Sequence, residues 1–212
     1  MTIKKIYTNN FAPNPLRVNL MLQVKGIEFE CVEIDLTTGQ QLSPEYKEIS
    51  PEGTVPALVL NDGTVLTDVI AILHYIEHSF PESRKLMGLS PLEQAQVLGM
   101  MHSIYFGGLM AIAEILRNGF MPGFEGRALP ANIEIKQIPE LMDRGHNRIQ
   151  YFYQQMNQKL TDREFLIGNQ LTQADIDLYV LCNFAGFVKE KFDVEKCPNL
   201  ASYYKNIKAL LS

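Results

Sequence analysis

Four groups of residues in this 212-residue chain carry donors, acceptors or charge where a fold could present them to a ligand. Val55-Pro56 comes just before the apolar run Ala57-Leu58-Val59-Leu60, so Val55 stands at the entrance of a strand, where its N–H and C=O can pair with an extended peptide. Asp68 heads the apolar stretch Val69-Ile70-Ala71-Ile72-Leu73. A carboxylate there caps a helix N-terminus and can equally meet an ammonium group, while the Val69 N–H is a natural anion donor. In Tyr7-Thr8-Asn9-Asn10-Phe11-Ala12-Pro13-Asn14-Pro15, the Tyr7 phenol, the Thr8 hydroxyl and the Asn14 amide are the groups able to donate a hydrogen bond to a nucleophile, Asn14 serving equally well as a helix cap. His102, Tyr105 and Phe106, with Met100, Met101, Met110, Phe120 and Met121, could wall an adaptable apolar pocket. An ordinary helix core explains most of that last group equally well, and a lone histidine on a helix is usually a surface residue.

The elements that must hold these residues can be read from periodicity and punctuation. Ile3 to Tyr7 is a short strand. Asn14-Pro15 then opens a helix through about Lys25, which Gly26 ends. Ile27 to Ile34 reads as a second strand, and Asp62-Gly63 joins Ala57-Leu60 to Thr64-Leu66 as a hairpin, followed by a helix from Val69 to His78. Residues 1–80 are thus βαβ, an irregular segment, then ββα, a thioredoxin-like order. Residues 81–90 form a linker, and Ser90-Pro91 starts a second domain at 91–212 whose periodicity is helical over about 91–118, 136–160, 173–189 and 199–211. The Thr172-Gln173-Ala174-Asp175 capping box belongs to folding. Asn118 to Gly126 is rich in breakers yet carries two phenylalanines and a methionine, which suits a loop covering a pocket.

Ser50 to Ile76 resembles, in register, the glutathione-binding half of the glutathione S-transferase superfamily, in which the residue before a cis-proline pairs with the tripeptide backbone and the last helix holds its γ-glutamyl end. Pro13-Asn14-Pro15-Leu16-Arg17-Val18 and Asp35-Leu36-Thr37-Thr38-Gly39-Gln40 are similar to a bacterial and yeast branch that carries Ser-Pro-Asn-Pro-x-Arg-Val. The resemblance implies a thioredoxin-like domain followed by an all-helical domain, with glutathione as co-substrate bound along Val55, Pro56, Asp68 and Val69. It also implies a thiolate near the first helix, a small electrophile held near Ala12, His102, Tyr105 and Phe106, and a homodimer, while a first segment that moves straight into a strand makes the cytoplasm the expected address. Two positions depart from the pattern. Ala12 stands where the branch has its serine, and Val69 where a serine follows the carboxylate, so the expected activation is atypical and binding weaker by the roughly 1.5–3 kcal/mol of one charged hydrogen bond. A glutathione-dependent disulfide or peroxide reductase, and a non-catalytic regulatory protein on the same fold, are the rival readings.

Composition narrows the field further. A net charge of -5, a pI near 5.4 and the lack of any long Lys/Arg run argue against nucleic acid. No uninterrupted apolar run approaches the roughly 18 residues of a membrane span. Cys31, Cys182 and Cys197 are odd in number and far apart, which predicts free thiols in apolar settings, no disulfide framework and no metal site.

Overall fold

The computed structural model describes residues 3–119 and 123–212 and resolves them into two compact units, one of residues 1–85 with 125–136, the other of 86–124 with 137–212. The first is a four-stranded mixed sheet with helices on it. β1 (Ile3–Thr8) runs parallel to β2 (Cys31–Glu33) and antiparallel to β3 (Ala57–Leu60), which pairs antiparallel with β4 (Val65–Leu66), giving the order β2-β1-β3-β4. α1 (Pro13–Lys25) makes the parallel crossover from β1 to β2. The short α2 (Pro44–Lys47) lies in the irregular segment, and α3 (Val69–Ser79) follows β4. This is the thioredoxin-like arrangement that the sequence predicts. Ile6 and Leu58, opposite one another in the β1–β3 register, are fully buried, as are Val18, Met21, Ile72 and Leu73 from α1 and α3. The ends of the two helices are tied by a buried ion pair, Lys25 Nζ to Glu77 Oε2 at 2.7 Å, whose ammonium also donates to the Arg84 carbonyl at 2.7 Å.

Local details correct the sequence reading. β2 is three residues long rather than the whole of 27–34, because only Cys31–Glu33 pairs regularly with β1. Cys31 is therefore on an edge strand and exposed, not in an apolar setting. Cys182 and Cys197 are buried, and all three are free. The cap of α1 is Ala12, and Asn14 lies inside the first turn. Gly26 ends the helix as expected, in the left-handed region at φ 65°.

The second unit is a helical bundle of α4 (Pro91–Ile104), α5 (Met110–Asn118), α6 (Glu140–Lys159), α7 (Gln173–Ala185) and α8 (Pro198–Leu211). α4 and α5 are one continuous run joined by a π turn at Tyr105–Leu109, a widening that periodicity does not signal. Ser90 caps α4, its Oγ accepting the Glu93 N–H at 3.2 Å with Pro91 at the first position. The whole run, Pro91–Asn118, is 28 residues and by length and composition could cross a membrane, which an eye for unbroken apolar runs misses. Half of its most apolar window is buried in the fold, as in the core helix of a globular protein. α5 and α6 approach closely at Gly145, where a Cβ would come 2.7 Å from the Ala111 carbonyl oxygen. Phe120 and Met121 of the breaker-rich loop lie outside the described residues.

Asp175 organises the other side of the bundle. Its carboxylate is fully buried and accepts from the N–H groups of Leu166 and Thr172 and the Thr172 hydroxyl, each at 2.8 Å, and from the Tyr203 hydroxyl at 2.6 Å. Burial pushes this carboxyl above the ordinary range, and the four donors only partly offset that. Replacing Asp175 with Ala would leave those donors buried without acceptors. The expected cost is about 3–5 kcal/mol, a fall in the thermal midpoint on the order of 10 °C, measurable by calorimetry. Thiol accessibility gives a second test. Partial burial and the nearby Glu33 carboxylate raise the Cys31 pKa, so a thiol reagent should label one cysteine per native chain, with a rate still rising above the ordinary thiol value of about 8.5.

Candidate functional site

The sheet register carries three loops to one end of the first unit. Tyr7 faces Ala57 and Leu58 faces Leu66, so the chain leaving β1, the chain entering β3 and the chain leaving β4 emerge side by side. On the β1 side the organiser is Asn9, which is buried. Its Oδ1 accepts the N–H groups of Phe11 and Ala12, both at 2.9 Å, and its Nδ2 donates to the Ile34 carbonyl at 3.0 Å. Sequence reasoning passed Asn9 over. The available signal was the habit of asparagine side chains of bonding backbone two or three residues on.

This turn delivers the N-terminus of α1. Pro13 and Pro15 have no N–H, and the Leu16 N–H already bonds the Ala12 carbonyl at 3.1 Å. Asn14 thus supplies the one first-turn N–H, and among the described residues no acceptor takes it. Its Oδ1 accepts from Arg17 Nη1 at 3.2 Å, which leaves the amide protons on Nδ2 available. Thr8 is different: it is buried, and its hydroxyl proton goes to Asn19 Oδ1 at 2.9 Å, so it has no proton to offer outward. Tyr7 is half-buried in β1, with its ring edge-on to Tyr46 at 5.7 Å.

The β3 entrance is equally fixed. The Val55-Pro56 peptide is cis, as the resemblance implies. Just before it, the Ser50 and Thr54 hydroxyls bond at 3.1 Å, the Thr54 N–H donates to Ser50 Oγ at 3.2 Å, and the Tyr46 hydroxyl donates to the Thr54 carbonyl at 2.8 Å. Burial holds that phenol well above its ordinary pKa, so it stays a donor. Among the described residues no hydrogen bond reaches the Val55 N–H or C=O, whereas Pro56 is buried. Asp68 caps α3, Oδ1 accepting the Ala71 N–H at 3.0 Å, and the residue is exposed. The Val69 side chain is buried in the core, so only its backbone N–H stands at the helix head.

Ala12 is half-buried in the first unit, whereas His102, Tyr105 and Phe106 belong to the second, where all three are exposed. A groove of about 660 Å³ runs between α4 and α6, with Met100, Phe106, Phe152 and Met156 as its apolar lining and Gln155 and Lys159 among its polar residues. Phe106 lines it, but His102 and Tyr105 do not. The His102 ring instead stacks on Phe106 at 6.2 Å. Sequence reading also missed Glu114, a buried carboxylate between the guanidinium groups of Arg144 and Arg148, each 2.7 Å from Oε1.

Comparison with known proteins identifies the family of both halves of the chain. Residues 11–79 match the glutathione S-transferase N-terminal domain model and residues 141–211 the C-terminal domain model. Glutathione S-transferase 2 of Saccharomyces cerevisiae is 28% identical over 204 residues, covering 95% of this chain and 84% of that protein. A glutathione S-transferase domain-containing protein of Marinobacter aquaeolei superposes with a TM-score of 0.84 at 29% identity, covering 97% of each chain. Gtt2 of Saccharomyces cerevisiae does so with 0.83 at 27%, covering 96% of this chain and 95% of that one. With both halves of one family matched in order, over a thioredoxin-like unit and a helical bundle, the chain belongs to the glutathione S-transferase superfamily.

Proposed function

We propose that this protein is a glutathione transferase that joins the glutathione thiolate to small electrophiles, with Asn14 as the activating donor. The observation that carries the reading is the sheet register, which brings the α1 N-terminus, Val55-Pro56 and Asp68 to one end of the first unit. The free edge of Val55 suits the tripeptide backbone. Asp68 suits the γ-glutamyl ammonium, with the Val69 N–H for its carboxylate. The thiol would then lie at the start of α1. A helix N-terminus favours a nearby anion by about 0.3–1 kcal/mol, less than one unit of pKa, whereas a hydrogen bond to a charged sulfur is worth about 1.5–3 kcal/mol, or one to two units. The hydrogen bond dominates, and with Ala12 lacking a hydroxyl, Thr8 bonded inward and the Tyr7 ring packed in the sheet edge-on to Tyr46, Asn14 is assigned the role. The electrophile is assigned, as the family resemblance implies, to Ala12, His102, Tyr105 and Phe106. The working protein is a homodimer of the 24.1 kDa chain in the cytoplasm.

Two measurements test the assignment. In a calorimetric titration with glutathione, Asp68→Ala should lose at least tenfold in affinity while losing only about 1 kcal/mol of stability, the value of a helix cap. A folded variant with the parent's affinity would reduce Asp68 to a cap. In turnover of an aryl halide against pH, the parent's apparent pKa should sit below the free thiol's, and Asn14→Ala should raise it by about one unit and slow conjugation near pH 7 about tenfold. Identical profiles for the two proteins would move activation to another group.

A further inference from the structure

Arg17 follows Asn14 by one turn of α1, on the same face of the helix, and its Nη1 donates to Asn14 Oδ1 at 3.2 Å. A carboxamide can turn either end toward a neighbour, and only its nitrogen end has protons to give. A guanidinium carries five donors and no acceptor, so the end of the amide that faces it is the oxygen. The Asn14 side chain therefore stands with Oδ1 on the guanidinium and Nδ2 on the side away from it. Arg17 is only 1% exposed, which denies its head group a swing into solvent and makes the contact a fixed one. The main chain is equally constrained, with Pro13 and Pro15 on either side of Asn14 and the Asn9 carboxamide holding the turn that leads into them. A cation on the amide oxygen also draws electron density from the nitrogen, so each Nδ2 proton becomes a stronger donor, as in any chain of hydrogen bonds that polarise one another.

We infer that Arg17 is a positioning residue that locks the Asn14 carboxamide with Nδ2 outward, polarises it, and so strengthens its hydrogen bond to the thiolate of bound glutathione without touching that thiolate. The inference rests on the reading that Asn14 is the donor to the thiolate. All of these groups belong to the first unit. A guanidinium can also act on a thiolate directly through space, but that effect persists when the amide is removed, whereas an effect relayed by the amide disappears with it.

That difference is measured by titrating the bound glutathione thiol, from its ultraviolet difference spectrum, in the parent, Asn14→Ala, Arg17→Met and the double variant. Methionine fills much of the arginine stem's space and offers no donor. Arg17→Met should raise the bound-thiol pKa by about half a unit, roughly a threefold loss of thiolate near pH 7, and by less than about 0.2 unit when Asn14→Ala is already present. An unchanged pKa, or the same rise in both backgrounds, would overturn the positioning role. At about pH 5.5, where the thiol is protonated, the glutathione Kd of Arg17→Met should stay within about twofold of the parent's. A larger loss would make Arg17 a general support of the site and overturn the inference. Asn14→Ala separates the two levels. If that variant titrates like the parent, the Asn14 reading falls and the inference with it, whereas a raised pKa in Asn14→Ala beside an unchanged one in Arg17→Met removes the inference alone. Asn14→Asp leaves the buried position intact and decides the matter if Arg17→Met does not fold. Followed by NMR, the introduced carboxyl should titrate about 1.5 units or more below the ordinary value of about 3.9, since the helix end alone accounts for less than about one unit. A shift no larger than the helix end supplies would show that Arg17 does not hold position 14, and would overturn the inference.

Discussion

A single buried carboxamide, that of Asn9, joins segments that the sheet by itself only leaves side by side. Its oxygen turns the chain after β1 by accepting the Phe11 and Ala12 N–H groups, and its nitrogen fastens that turn to the Ile34 carbonyl after β2. The start of α1 is thereby fixed to the end of both strands. The register of β3 and β4 brings Val55 and Asp68 to the same end, so the site is a product of strand pairing first and side-chain chemistry second.

The helical unit solves a different problem. Gly145 lets α5 and α6 approach to backbone contact, and the π turn then offsets the α4–α5 run. Phe106, in that turn, is exposed, and on α5 the Glu114 carboxylate is held by the Arg144 and Arg148 pair. A buried carboxylate alone would be costly. Two guanidinium groups pair it, and that of Arg148 also lies over the Phe106 ring, a favourable place for a cation.

Much of this was legible in the sequence because it depends on local chemistry. The Asp62-Gly63 turn, the Ser90-Pro91 helix start, Gly26 beyond α1 and the Thr172–Asp175 capping box each act within a few residues, and the β-α-β then β-β-α order follows from them. What was hidden depends on partners far along the chain. Asn14 reads as a cap because it precedes Pro15, but the helix starts one residue before it, at Pro13, with Ala12 as the cap. β2 looked long because alternation continues through Ile27 and Phe29, while its pairing with β1 covers three residues. Cys31 was expected in an apolar setting and is exposed because that strand is an edge. Arg148 and Glu114 lie 34 residues apart, and nothing local distinguishes them from other surface-helix charges.

Asn14, and not a hydroxyl, is the group proposed to lower the thiol pKa of bound glutathione. The direct measurement is an ultraviolet difference titration of the thiolate in the binary complex, with no electrophile present, in the parent and in Asn14→Ala. The proposal predicts a bound-thiol pKa about one to two units below the free value of about 8.5 in the parent and a return most of the way toward it in the variant, with glutathione still bound. A parent complex that titrates like free glutathione, or a variant whose bound thiol titrates like the parent's, would contradict it.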